Sequence, residues 1–190
     1  IDQTLALAQA IDADEAPQPD FVLWPENSSD IDPYRDDTVA ADISATAAAV
    51  GAPILVGAVV QTDDPTKVEN SGIVWDPQTG AGARYVKNYP VPFGEFVPFR
   101  EQLAPLIGRF ERVPRDFVGG DEPGVLEIGG VIIGDAICFE VAYDDVFTAA
   151  IDGGAQLITV QTNNATYQGT GQPAQQWEIE RMRALQTGRT

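Results

Sequence analysis

Apolar residues in this chain gather in short continuous runs rather than in long alternating stretches. Phe21 to Trp24, bounded by Asp20 and Pro25, is one such run and predicts a buried strand. Ile54 to Val60 predicts a second. Gly72 to Trp75 and Ala83 to Val86 predict two more around the turn signal Asp76-Pro77-Gln78-Thr79-Gly80. Val125 to Ile128 and Val131 to Ile137 flank Gly129-Gly130 and read as a hairpin, and Leu157 to Gln161 is a further strand. Helical patterns cover residues 1–12, the Ala-rich 38–50 ended by Gly51 and Pro53, 141–151 ended by Gly153-Gly154, and 173–188. The last has Pro173 near its start and Gly188 at its end. Residues 90–123 are irregular, rich in Pro and aromatic residues, and long for a connection, which marks them as functional or mobile.

The order is therefore α β α β β β, a loop, then β β α β α. Strands that are apolar on both faces need cover on both faces. That requirement points to sheets packed on each other or on helices, an α/β (α+β) architecture with helices outside. No repeat, low-complexity segment or clear linker divides the chain, so a single domain spanning residues 1–190 is expected. No run reaches the ~18 consecutive apolar residues of a membrane helix. The chain opens on Ile1-Asp2-Gln3, without a Met or a basic leader, and closes directly after a helix. A domain cut at both ends is expected.

Composition narrows the chemistry. The 190 residues carry 29 acidic and 11 basic side chains, a formal net charge of −18. Nucleic-acid phosphates need clustered Lys and Arg, so a nucleic-acid partner is excluded as the main reading. With no histidine, Ser-His-Asp triads, Cys-His dyads and His-based zinc or haem sites are absent. The single cysteine, Cys138, removes internal disulfides and Cys-rich metal centres. Nucleophilic chemistry here must use Cys, Ser, Thr, Lys or a carboxylate, with a carboxylate or amine as base.

Three residues stand at strand ends. Cys138 closes the run VIIGDAIC, where a side chain is exposed on a rigid backbone; a small buried thiol is the alternative. Glu26 follows the strand before Trp24-Pro25, placed as a general base or as a loop carboxylate. Lys87, one of two lysines, ends ARYVK and can supply a fixed positive charge or lie on the surface. A thiol that attacks must lose its proton, and a cation beside it stabilises the oxyanion that forms. Without histidine, Glu-Lys-Cys is the simplest remaining route to Cys-based acyl transfer.

Glu, Lys and Cys in that chain order resemble the nitrilase (carbon–nitrogen hydrolase) superfamily. In detail the chain is similar to the apolipoprotein N-acyltransferases. The blocks that carry the likeness are FVLWPENSS (21–29), YVKNYPVPFGEFVPF (85–99), GDAICFEVAYDD (134–145) and TNNATYQGTGQPAQQWEIERMRALQTGR (162–189). The Lys-x7-Glu spacing within VPFGEFVP is the most diagnostic. Where the family often has Asn-Asp-Ala-Trp-Phe-Gly, this chain has Asn163-Asn164-Ala165-Thr166-Tyr167-Gln168.

The resemblance implies a nitrilase-like α-β-β-α sandwich with Glu26 as general base, Lys87 as stabiliser and Cys138 as nucleophile. It implies Glu95 as a second essential carboxylate. Glu140 would orient Lys87 or the backbone. Phe93, Phe96, Asn163, Asn164 and Tyr167 would line the substrate site, and residues 88–120, with Phe99, Leu103, Leu106, Ile107 and Phe110, would form a lid. The implied reaction transfers an acyl chain from a phospholipid, through a Cys138 thioester, to the N-terminal amine of a diacylglyceryl apolipoprotein. No metal or cofactor is implied. The implied setting is the extracytoplasmic side of a bacterial cell membrane, on a membrane-embedded parent protein. A soluble amidase or nitrilase with the same triad is the alternative.

Overall fold

The computed structural model describes residues 1–100 and 114–190. Leu103, Leu106, Ile107 and Phe110 of the expected lid lie outside the described residues.

Among the described residues, four helices and seven strands follow the expected order, and one short strand is additional. They are α1 (Asp2–Asp12), β1 (Val22–Leu23), α2 (Asp37–Val50), β2 (Ile54–Gln61), β3 (Lys67–Asp76), β4 (Gly80–Val86), β5 (Asp116–Phe117), β6 (Val125–Ile128), β7 (Val131–Ile137), α3 (Asp144–Asp152), β8 (Leu157–Gln161) and α4 (Gln172–Thr187). One sheet runs β1-β2-β3-β4, with β5 added parallel to the start of β3. The other is β6-β7-β8, with β7 and β8 parallel.

Pleat alternation sorts the side chains into three cores. Ile54, Val56, Ala58, Ile73 and Trp75 face outward and pack on Ile43 and Ala47 of α2. Leu55, Val74 and Tyr85 face the other way, onto Leu126, Ile128, Ile133 and Ile137 of the second sheet. Ala136 of β7 meets Val146 and Phe147 of α3 on that sheet's far side. The layers are thus helix, sheet, sheet, helix: the α-β-β-α sandwich that the family resemblance implies. Asp36 fixes the start of α2 by accepting from the backbone N–H groups of Thr38 and Val39 at 3.0 Å, and Gly51 ends it in the left-handed region at φ +67°.

Two expectations shift. The strand read as 72–75 begins at Lys67, because Glu69, Asn70 and Ser71 are polar residues within a strand whose inward positions serve a polar site. The helix read as 141–151 starts only at Asp144, since Cys138–Ala142 forms a tight 3-10 turn. The two-residue strand β5 has no sequence signal of its own; pairing with Lys67 and Val68 creates it.

Candidate active site

The polar layer between the sheets is built on two adjacent glycines. Gly57 of β2 and Gly72 of β3 are register partners. A Cβ on Gly57 would stand 2.3 Å from the Pro25 carbonyl oxygen and 2.8 Å from Glu26 Cα, so only glycine lets the Trp24-Pro25-Glu26 segment lie on the sheet. Ser28 Oγ and the backbone N–H of Ser29 then donate to the Gly57 carbonyl, at 2.8 and 3.0 Å. These contacts turn Glu26 inward, where it is buried.

Lys87 follows β4 directly and is 1% exposed. Its Nζ donates to both Glu95 oxygens, at 2.9 and 2.8 Å, and to Glu26 Oε1 at 3.3 Å. Burial works against its charge, but Glu95 and Glu26 outweigh burial and lift its pKa above the usual lysine value. Glu95 is held in turn by the Val91 N–H, which donates to Oε2 at 2.7 Å. Lys87 is therefore fixed mainly by Glu95, and its contact with Glu26 is the longer one.

Asn70 of β3 completes this cluster, and the sequence reading did not single it out. Its Nδ2 donates to Glu26 Oε1 at 2.8 Å and to Glu95 Oε1 at 3.1 Å, bridging the two carboxylates. Asn70 lies just before the strand read at 72–75, and only the longer β3 reveals it. The second Glu26 oxygen accepts from the Asn163 backbone N–H at 2.9 Å, just past the end of β8.

Cys138 sits where β7 meets the 3-10 turn, in the left-handed region at φ +55°. For a non-glycine residue that backbone costs about 1–3 kcal/mol and is kept only where its surroundings enforce it. It is half-buried, beside an exposed Phe139. Burial, then the Glu26 charge, pushes the Cys138 thiol up to about 12, against the pull of Lys87. Glu26, Lys87 and Cys138, far apart in sequence, are thus brought together with Glu95.

Glu140 does not touch Lys87, which corrects one half of its expected role. It is fully buried and orients the backbone. Its oxygens accept from the N–H groups of Ile137 (2.7 Å), Asn88 (2.7 Å) and Tyr89 (3.2 Å), and the Tyr85 hydroxyl lies 2.9 and 3.0 Å from them. One carboxylate thereby ties the Cys138 turn to the segment just after Lys87.

A cavity of about 280 Å³ opens beside Cys138, lined by Val91, Phe139, Val141, Tyr167 and Ile179 and, on its polar side, by Asn164, Gln172, Gln175 and Gln176. Asn164 and Tyr167 thus line the cavity next to Cys138. Asn163 contributes its backbone N–H, while its side chain accepts from the Ala165 N–H. Phe93 and Phe96 belong to the turn that carries Glu95 and do not line this cavity. Among the described residues, no cluster of His, Cys, Asp and Glu suits a metal ion, and no helix is long and apolar enough to cross a membrane.

Residues 5–189 match the family model for carbon-nitrogen hydrolases. The apolipoprotein N-acyltransferase of Mycolicibacterium smegmatis is 40% identical over 193 residues, covering 100% of this chain and 32% of that protein. Its counterpart in Pseudomonas aeruginosa is 32% identical, covering 90% of this chain and 33% of its own length. The chain thus spans about one third of the length of the curated relatives it matches. Among solved structures, a mutant amidase from Nesterenkonia sp. AN1 superposes with a TM-score of 0.64 at 18% identity, over 99% of this chain and 66% of that one. That likeness is one of fold. By the match over nearly its whole length, the chain belongs to the carbon–nitrogen hydrolase family.

Proposed function

We propose that this domain carries the acyl-transfer site of an apolipoprotein N-acyltransferase. The observation that carries the reading is the buried Glu26–Lys87–Glu95 cluster against a half-buried, strained Cys138. Its support from relatives is the 40% identity to a protein of that name.

The thiol is held protonated until substrate arrives, so it needs a base at the moment of attack. Glu26 takes the Cys138 proton as Sγ attacks the ester carbonyl of a phospholipid. Lys87, fixed by Glu95, faces the oxyanion of the tetrahedral intermediate. Collapse expels the lysophospholipid alkoxide, which takes the proton from Glu26, and leaves an acyl thioester on Cys138. Glu26, again a carboxylate, deprotonates the N-terminal amine of a diacylglyceryl apolipoprotein as that amine attacks the thioester. The product is an N-acylated lipoprotein, and the thiol is restored. The apolar walls Val91, Val141 and Ile179 suit an acyl chain. A phospholipid donor and a lipoprotein acceptor suit a setting on the extracytoplasmic face of a bacterial membrane. No metal or cofactor enters these steps.

An amidase of the same family would use water in the second half. The test is to supply the full protein with phospholipid and a diacylglyceryl lipopeptide. N-acylated lipopeptide, abolished by Cys138→Ala with the fold intact, supports transfer. Turnover of small amides with no acylated peptide would move the reading to a hydrolase.

A further inference from the structure

Two buried oxygens between the sheets lack a donor. Asp135 of β7 is 1% exposed; its Oδ1 accepts from Thr159 Oγ1 at 2.9 Å, but its Oδ2 has no hydrogen-bond partner. Gln161 of β8 is also 1% exposed, and its Oε1 has no partner either. Both oxygens face the same bare spot. A Cβ on Gly72 would lie 2.2 Å from Asp135 Oδ2 and 2.8 Å from Gln161 Oε1.

The Gln161 amide cannot be turned round to relieve this. Its Nε2 donates to the Trp24 carbonyl at 2.7 Å, with the Leu55 carbonyl at 3.5 Å. A flipped amide would set oxygen against carbonyl oxygen. Two acceptors therefore share one buried spot, where an unmade hydrogen bond costs about 1–3 kcal/mol. One proton on the carboxyl satisfies both.

We propose that Asp135 is a positioning residue that keeps its proton in the folded protein and donates it from Oδ2 to Gln161 Oε1. The bond locks the Gln161 amide onto the Trp24 carbonyl, two residues before Glu26. The same strand end presents the Asn163 N–H to Glu26 Oε2. Asp135 thus acts on the base through Gln161 and touches no substrate. Gly72 is glycine because a methyl group there would occupy the site of this bond. The titratable groups around Asp135 favour the neutral acid. Burial and the nearby Glu140 charge raise its pKa well above the usual carboxylate value, against the Thr159 hydrogen bond, and the Tyr85 hydroxyl across the layer, itself raised by burial, stays neutral. The link to Glu26 rests on the proposed base; the proton on Asp135 does not.

The test is infrared difference spectroscopy of the full protein at neutral pH, with isotope-labelled aspartate to separate Asp135 from Glu140. The expected result is a protonated-carboxyl C=O band that shifts with the label and vanishes in Asp135→Asn. Only carboxylate bands from aspartate would overturn the proposal, and this readout needs no turnover. Asp135→Asn still accepts from Thr159 and donates to Gln161, so kcat should stay within about twofold, while Asp135→Leu should lose about tenfold or more at similar KM. An asparagine variant as impaired as the leucine variant would overturn it as well. Should Asp135→Asn fail to fold, the labelled band in the unmutated protein decides alone.

Discussion

The backbone N–H of Asn88 donates to Glu140 Oε1 at 2.7 Å, joining the first sheet to the turn that holds Cys138. Glu140 is therefore a clamp on the distance between Lys87 and the nucleophile. Glu140→Ala leaves the buried N–H of Ile137 and the half-buried N–H groups of Asn88 and Tyr89 without an acceptor, a cost of about 1–3 kcal/mol for a fully buried donor and less for the other two. We expect a loss of about 3 kcal/mol in denaturant unfolding. Unchanged unfolding would show that the clamp carries no energy.

The second prediction concerns the thiol. Because the Glu26 charge helps push Cys138 up to about 12, Glu26→Gln should lower the thiol pKa. Alkylation of Cys138 by iodoacetamide near pH 9 should then run several-fold faster in Glu26→Gln, while acyl transfer is lost. Lys87→Met should do the opposite to alkylation, since Lys87 pulls the thiol down. Slower alkylation in Glu26→Gln would contradict the assigned electrostatics.

Gly57→Ala tests how the base is carried. The new methyl would collide with the Pro25 carbonyl and Glu26 Cα, both backbone atoms that cannot swing aside. Stability should fall by about 1–3 kcal/mol, and activity by more than the fraction unfolded. Activity tracking only the folded fraction would mean that Glu26 need not sit where it does.

Stability should also depend on pH in a defined direction. Asp135 and Glu140 both have carboxyl groups raised above their usual values, chiefly by burial. A raised acid holds more protons folded than unfolded, so its contribution is complete below about pH 4 and is lost as pH climbs through the folded value. The large negative charge adds self-repulsion in the same direction. Melting temperature should fall between about pH 5 and 8, and Asp135→Asn should flatten that slope.

Much of this was legible in the chain. Apolar runs such as Ile54 to Val60 revealed the strands because both faces of each are covered, and the family resemblance pointed to Glu26, Lys87 and Cys138, which the fold brings close together. Other features were hidden because they arise only from distant contacts. Asn70 matters because β3 places it beside Glu26 and Glu95. Cys138 takes a left-handed backbone next to the Ile137 N–H that Glu140 holds. Phe93 and Phe96 looked like substrate contacts by being aromatic near Glu95, yet their turn serves to hold that carboxylate.

The most direct measurement is intact-mass spectrometry of the full protein after incubation with phospholipid alone. The account predicts one fatty-acyl adduct, released by hydroxylamine, present on the unmutated protein and absent from Cys138→Ala. Its formation should drop sharply in Lys87→Met while lipid binding persists, because the charge acts on the transition state. A folded, lipid-bound protein that gains no adduct, or an adduct that survives Cys138→Ala, would contradict the thioester mechanism.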